Sequence, residues 1–152
     1  MINRSLIGSV KHVYSEDEAF DRSDAAAFDA AMKAFLKDGD LSILPLREGR
    51  TPAVFVLRPL KRLVNQHVND LLLNNQASQA FTEAVAFGLA KAEGYSVDDI
   101  PVQLAYEKQE VKRRGFRLTE DCLDQIFDTK LFTELGLRII EISQLDFRRG
   151  QG

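Results

Sequence analysis

The chain has 152 residues, of which 45% are hydrophobic and 28% charged, and its formal net charge is −3. This length fits one domain with a substantial core, and the charge argues against a surface that binds nucleic acid throughout. The single cysteine, Cys122, excludes an intrachain disulfide and favours a reducing compartment. No stretch approaches the about 20 apolar residues of a membrane span, and the N-terminus lacks the apolar core of a signal peptide.

The first third of the chain predicts an arm, a helix and a hairpin. Residues 5–14 carry an apolar pattern that Gly8 interrupts, which predicts an N-terminal arm or strand over residues 1–14. The following helix has Ser23 as a plausible N-cap, Asp24 in its first turn and Gly39 as a plausible C-cap. Residues 41–46 and 53–58 then predict two strands of a central β-hairpin, separated by a loop of turn-forming residues.

The second predicted strand is apolar on both faces. Phe55 and Leu57 point to one side and Val54 and Val56 to the other, so both sides need a cover, from this chain or from a partner. Pro59 ends the strand, because it lacks a backbone donor, and suits the start of a helix.

Helical periodicity then predicts an antiparallel helical hairpin. Apolar side chains recur at helical spacing over residues 60–74 and again over 77–93, with Gly94 as the second C-cap. His67 lies on the apolar stripe of the first helix, where a packed neutral histidine is the expected role. Gly88, beside alanines, predicts close approach of another helix, either within the chain or across an interface.

The last third combines a charged stretch with two helices. Residues 102–106 alternate like a strand, and the charged stretch from Lys108 to Arg114 predicts a helical extension into solvent that Gly115 ends. Thr119 is expected to cap a short helix. A final helix opens at Asp128 or Thr129. Its predicted core face comprises Leu131, Leu135, Ile139, Ile142 and Leu145, with Glu134 and Arg138 as a surface pair.

Together these elements predict an α+β fold that is mostly helical. One central β-hairpin packs against the helical hairpin and the C-terminal helix, within a single domain over 15–147. Residues 148–152 are expected to form a flexible tail.

No motif in the chain predicts catalysis. His12, His67 and Cys122 have no metal-ligand spacing, and no glycine-rich phosphate loop or nucleophile elbow is present. The carboxylates mostly lie near helix N-termini, where the helix dipole explains them. We therefore expect no catalytic residues, no metal and no cofactor, and a protein that is not an enzyme; a small enzyme of unknown type is the weakest alternative.

A basic cluster with interleaved aromatic residues is the candidate binding segment. Three roles are open to it: a solvated loop, a protein-binding arm, or a nucleic-acid contact in which cations grip phosphates and the ring stacks on a base. The predicted partner-binding residues are Arg113, Arg114, Phe116 and Arg117, with Lys108 and Lys112 beside them, and Phe147, Arg148 and Arg149 near the C-terminus.

Two segments resemble small tail-assembly and tail-accessory proteins of bacteriophages. One is Ala53-Val54-Phe55-Val56-Leu57-Arg58-Pro59-Leu60, a strand with an "LRPL"-like end, and the other is the closing "ELG..I...S.L" helix within residues 132–145. The resemblance implies a non-enzymatic tail-assembly chaperone or virion structural protein without cofactor, which binds other phage structural subunits.

Its expected partners are protein subunits, including copies of itself, and no membrane. A nucleic-acid-associated regulator that uses segment 108–117 is the alternative function. The expected location is the cytoplasm of a bacterial host cell, or a phage particle.

Overall fold

The computed structural model describes residues 8–97, 99–109, 115–126 and 128–151, and for 109, 115 and 145–151 it describes the backbone alone. The helices in this part are α1 (Ala25–Asp38), α2 (Arg62–Leu73), α3 (Ala77–Gly88), α4 (Glu120–Gln125) and α5 (Thr129–Gln151). The strands are β1 (Val10–Val13), β2 (Val54–Leu57), β3 (Leu89–Glu93), β4 (Ser96–Val97), β5 (Ile100–Pro101), β6 (Tyr106–Gln109) and β7 (Gly115–Leu118). The predicted α+β class is confirmed.

The main sheet has the order β1-β2-β3, with β2 in the centre and both neighbours antiparallel to it. The predicted hairpin of 41–46 with 53–58 is therefore wrong. Leu41–Ile43 form a 3-10 helix instead, because the Asp40 side chain accepts the Ser42 backbone N–H at 3.0 Å and favours a tight turn. Leu46 pairs only with Phe20, in an isolated bridge.

The other partner of β2 comes from residues that the periodicity predicts as helix. α3 ends at Gly88 rather than at residue 93, and β3 follows it without a loop. From Lys91 to Glu93 the segment alternates as a strand does, with exposed Lys91 and Glu93 on either side of the half-buried Ala92. Leu89 is buried opposite Leu57, beyond a shift of the register between Val56 and Leu57. Gly94 lies in the left-handed region (φ 70°) after this strand and does not cap a helix.

The two faces of β2 lie against two hydrophobic clusters of the same chain. Phe55 and Leu57 belong to the larger cluster, which α2, α3, α4 and α5 complete. Val54 belongs to a smaller one, which includes Val13 of β1 and Phe28 and Phe35 of α1. The chain thus covers both faces at this end of the strand, whereas Val56, between the exposed Lys11 and Lys91, is only half-buried.

The packing of α3 against α5 depends on two glycines. A Cβ atom on Gly88 would lie 2.5 Å from Cγ2 of Ile139, and one on Gly136 would lie 3.0 Å from Cβ of Phe81. The predicted close approach at Gly88 therefore occurs within the chain. The predicted core face of α5 is confirmed for Leu131, Leu135, Ile139 and Ile142, which are all buried, and the Leu145 side chain lies outside the description.

Two predicted helix caps are confirmed, whereas the predicted N-cap of α1 and the predicted helical extension at Lys108 are wrong. Asp24, not Ser23, is the N-cap of α1, while Gly39 and Thr119 cap α1 and α4 as predicted. Lys108 lies in β6 rather than in a helical extension.

Glu134 and Arg138 do not form the predicted pair on α5. Arg138 contacts Glu141 at 2.8 Å and donates to the Leu36 carbonyl, whereas Glu134 contacts the N-terminal segment. α2 begins at Arg62, and its Leu63 is half-exposed rather than in the core.

The predicted tail is helical as far as Gln151, and its flexibility stays a prediction. In the ranges that the structure describes, none of the helices combines the length and the apolarity needed to cross a bilayer.

Candidate functional site

The strands β6 and β7 form a two-stranded antiparallel ribbon, called the ribbon below (106–109 and 115–118). Tyr106 pairs with Leu118 and Lys108 with Phe116, so these four side chains share one face. Glu107 and Arg117 pair on the opposite face. The segment that joins the two strands, 110–114, lies outside the described residues.

The base of the ribbon is fixed to the core. Leu118 is fully buried, and the Tyr106 hydroxyl lies 2.8 Å from both the Leu89 and the Ala90 carbonyl oxygens, one of which accepts its proton. Burial raises the pKa of Tyr106 above its usual range, although the nearby Arg58 acts in the opposite direction. The hydroxyl is thus a stable neutral donor at physiological pH.

Arg117 is held inside the protein by three carboxylates. Its guanidinium nitrogens lie 3.0 Å from Glu120, 3.4 Å from Glu107 and 3.9 Å from Glu83, and only 11% of its side chain is exposed. It also lies 6.0 Å from the ring centre of Phe87. These contacts are those of a structural residue, which ties the ribbon to α3 and α4.

Phe116 has the opposite environment. It is 59% exposed, among the largest exposures of any large apolar side chain in the described chain, and it lies opposite the exposed Lys108. The half of this face that lies away from the Tyr106–Leu118 pair therefore presents an aromatic ring beside a cation, and this half is called the outward face below.

The other predicted partner-binding residues are not brought together with Phe116 in the described structure. Arg113 and Arg114 lie outside the described residues. Phe147, Arg148 and Arg149 lie in the last turns of α5, where the structure describes only the backbone. Phe116 and Arg117 are thus the predicted partner-binding residues whose side chains the structure describes. Phe116 is exposed, whereas Arg117 is largely buried.

A second polar cluster joins the end of β1 to the start of α5. Glu134 Oε1 accepts the Ser15 backbone N–H at 3.1 Å and lies 3.4 Å from His12 Nε2, while the Ser15 hydroxyl donates to Oε2. Two further contacts connect the same segments, Tyr14 with Asp128 at 3.0 Å and Glu16 with Lys130. No sequence signal indicated this cluster, because its members are separated by more than 110 residues along the chain.

The pKa shifts in this cluster keep Glu134 ionised and Tyr14 protonated, as their contacts within the chain require. Burial alone would raise the pKa of Glu134, but the contact with His12 and the hydrogen bonds from Ser15 outweigh it and lower the pKa, so the carboxylate stays ionised. Burial and the hydrogen bond to Asp128 raise the pKa of Tyr14 to about 12, so its phenol stays a donor. Ser15 donates to Glu134 rather than to His12, which is not the arrangement that activates a serine nucleophile.

Cys122 and Arg58 each contact the backbone of their own chain, which is a structural role. Cys122 is buried, and its sulfur lies 3.0 Å from the Ala105 backbone nitrogen. Arg58 donates to the Phe87 carbonyl at 3.2 Å. Within the described ranges, no three histidine, cysteine or carboxylate side chains are grouped closely enough to bind a metal ion.

Comparison of the chain with protein-family models, curated proteins and solved structures gave no significant match.

Proposed function

We propose that this protein is a non-enzymatic assembly or structural protein that binds another protein subunit through the outward face of the ribbon. The phage-like segments 53–60 and 132–145 support bacteriophage structural subunits as the partners, for which the protein would act as a tail-assembly chaperone or a virion component.

The observation that carries the proposal is the exposure of Phe116. A phenylalanine that is 59% exposed on a strand contributes little to the core, and aromatic side chains are enriched at protein interfaces. The ribbon beneath it is anchored by Tyr106, Leu118 and Arg117, so the ring is presented from a fixed base. Little conformational entropy is lost when such a group enters a pocket.

The nucleic-acid alternative would use the same segment. It requires cations that are free to contact phosphates, and Arg117 contacts three carboxylates of its own chain. Of the basic side chains that the structure describes in segment 108–117, this leaves Lys108. Lys112, Arg113 and Arg114 lie outside the described residues, so the preference for protein binding rests on the exposure of Phe116.

Site-specific photo-crosslinking tests the proposal. The benzophenone analogue of phenylalanine replaces Phe116 in one variant and Leu63 in a control, because Leu63 is 52% exposed on α2, outside the ribbon. In cells that make the protein naturally, we expect a discrete protein adduct from position 116 and none from position 63.

Adducts of equal yield at both positions, or at neither, would contradict the proposal. An adduct with nucleic acid at position 116 would favour the alternative function. Genes for a capsid, portal or tail tube beside the gene would further support a phage partner, and a phage structural protein in the adduct would establish it.

A further inference from the structure

The outward face of the ribbon combines one apolar and one charged group in fixed register. Phe116 and Lys108 occupy directly opposed positions of β7 and β6, so their side chains leave the same face next to each other. Both are exposed. A pocket that takes the phenylalanine ring must therefore accommodate an ammonium group at its edge.

The opposite face of the ribbon carries no comparable free cation in its described residues. Arg117 contacts Glu83, Glu107 and Glu120, so its positive charge is more than balanced by carboxylates of its own chain. Among the described residues, no carboxylate lies within 4.0 Å of the Lys108 ammonium group. Within the part of the ribbon that the structure describes, the two faces thus differ in chemistry: one carries a cation among three carboxylates, and the other a cation without a carboxylate contact.

We infer that the protein partner, if the function proposed above is correct, presents an apolar recess for Phe116 with one or more carboxylates at the edge that meets Lys108. Charge complementarity selects this partner, because a neutral or basic edge would leave the ammonium group desolvated without a counter-charge.

A second copy of the chain fits this surface poorly. In a two-fold dimer that used the ribbon face, each Phe116–Lys108 pair would meet the same pair of the other copy. The two ammonium groups would then share one interface, and Glu107, the carboxylate that the structure describes on the ribbon, contacts Arg117 on the opposite face. Like charges at an interface oppose association.

Binding of purified variants to the protein crosslinked at position 116 tests the inference. For Phe116→Ala we expect an affinity about 30-fold weaker, as for an aromatic residue at the centre of an interface. For Lys108→Gln we expect a few-fold loss, and for Lys108→Glu at least about a tenfold loss, because two carboxylates then face each other. Raising the salt concentration should weaken the wild type more than Lys108→Gln.

The outcomes separate the inference from the function on which it rests. A loss with Phe116→Ala but none with Lys108→Glu would overturn the acidic partner and leave the function standing, as would tighter binding by Lys108→Glu. No effect of either variant, or no protein adduct at all, would overturn both. Leu63→Ala is the control that should bind as the wild type does, and circular dichroism checks that each variant is folded.

An adduct with a second copy or with nucleic acid would also overturn the inference. The oligomeric state of the purified chain by light scattering identifies the first case, and nuclease digestion of the adduct identifies the second.

Discussion

Arg117 and Glu134 are charged residues whose roles depend on distant parts of the chain. In the sequence, Arg117 belongs to a basic cluster and Glu134 is one member of a helical surface pair. In the structure, Arg117 contacts carboxylates of α3, β6 and α4, and Glu134 contacts His12 in β1 and Ser15 just after it. Their neighbours in sequence therefore gave no indication of their partners in space.

Replacing Arg117 by alanine is expected to lower stability rather than only to weaken binding. The change leaves three carboxylates close together without their shared cation, and Glu83 is only 20% exposed. Water screens the contacts to Glu107 and Glu120, so the expected loss is about 1–2 kcal/mol in the free energy of unfolding. Urea denaturation measures it. Lys108→Ala on the neighbouring strand is the control, with a change within about 0.5 kcal/mol, and equal losses in both variants would contradict a structural role for Arg117.

Glu134 is expected to make stability depend on pH in the acidic range. Because its folded-state pKa is lowered below the usual 4.5, the ionised carboxylate contributes stability above that pH, and the contribution is lost as the pH falls through the folded-state pKa. We expect Glu134→Gln to cost about 1–3 kcal/mol at pH 7 and progressively less below pH 4.5. Denaturant unfolding at several pH values measures this difference.

Glu141→Gln is the control for that experiment, because Glu141 is 60% exposed in its contact with Arg138. Its effect should be at most about 1 kcal/mol. A penalty for Glu134→Gln that stayed constant from pH 7 to pH 3 would show that the carboxylate charge does not stabilise the contact with Ser15 and His12.

At the level of elements, the periodicity located the helices better than it located the strands. The helical spacing of α1, α2 and α5 is evident because each buries one stripe, whereas α3 buries every residue from Ala84 to Gly88. Strand β3 was missed because five residues with two alanines after a helix continue a helical pattern, and only pairing with β2 makes them extended. Which strand a segment pairs with depends on the whole sheet, and the segment's own sequence does not determine it.

The packing of α3 on α5 predicts that replacing a glycine by alanine lowers stability more at Gly88 than at Gly136. Alanine favours a helix by about 1 kcal/mol over glycine, yet Gly88→Ala should cost about 1–3 kcal/mol, because its methyl group would lie 2.5 Å from buried Ile139. Gly136→Ala meets Phe81 at 3.0 Å and should cost less. Urea midpoints of the two variants test this order, and a stabilising Gly88→Ala would contradict the described packing.

At the scale of the whole molecule, β2 joins two clusters of unequal size. The larger cluster contains most of the buried apolar residues, whereas the smaller one depends on α1, β1 and the segment around Leu44. A smaller buried surface gives a lower free energy of local opening. The two parts should therefore differ in stability although they share a strand.

Hydrogen exchange should detect this difference. We expect backbone amides of α1 to exchange through a partial opening, and those of α3 to exchange only on global unfolding. Phe35→Ala, which truncates a buried residue of the smaller cluster, should speed exchange in α1 far more than in α3. Leu36→Ala is the matched control, because Leu36 is 38% exposed. Equal acceleration in both helices would indicate a single cooperative unit.

The sequence by itself determined the α+β class, the approximate positions of α1, α2, α4 and α5, the buried face of α5 and the two apolar faces of β2, because these depend on local periodicity and capping. Only the tertiary structure decided the strand order, the compensation of Arg117, the exposure of Phe116 and the contact of Glu134 with Ser15. Each of these depends on groups that are distant along the chain. The cover over the two faces of β2, which the sequence left open between this chain and a partner, is supplied by the chain itself at Val54, Phe55 and Leu57.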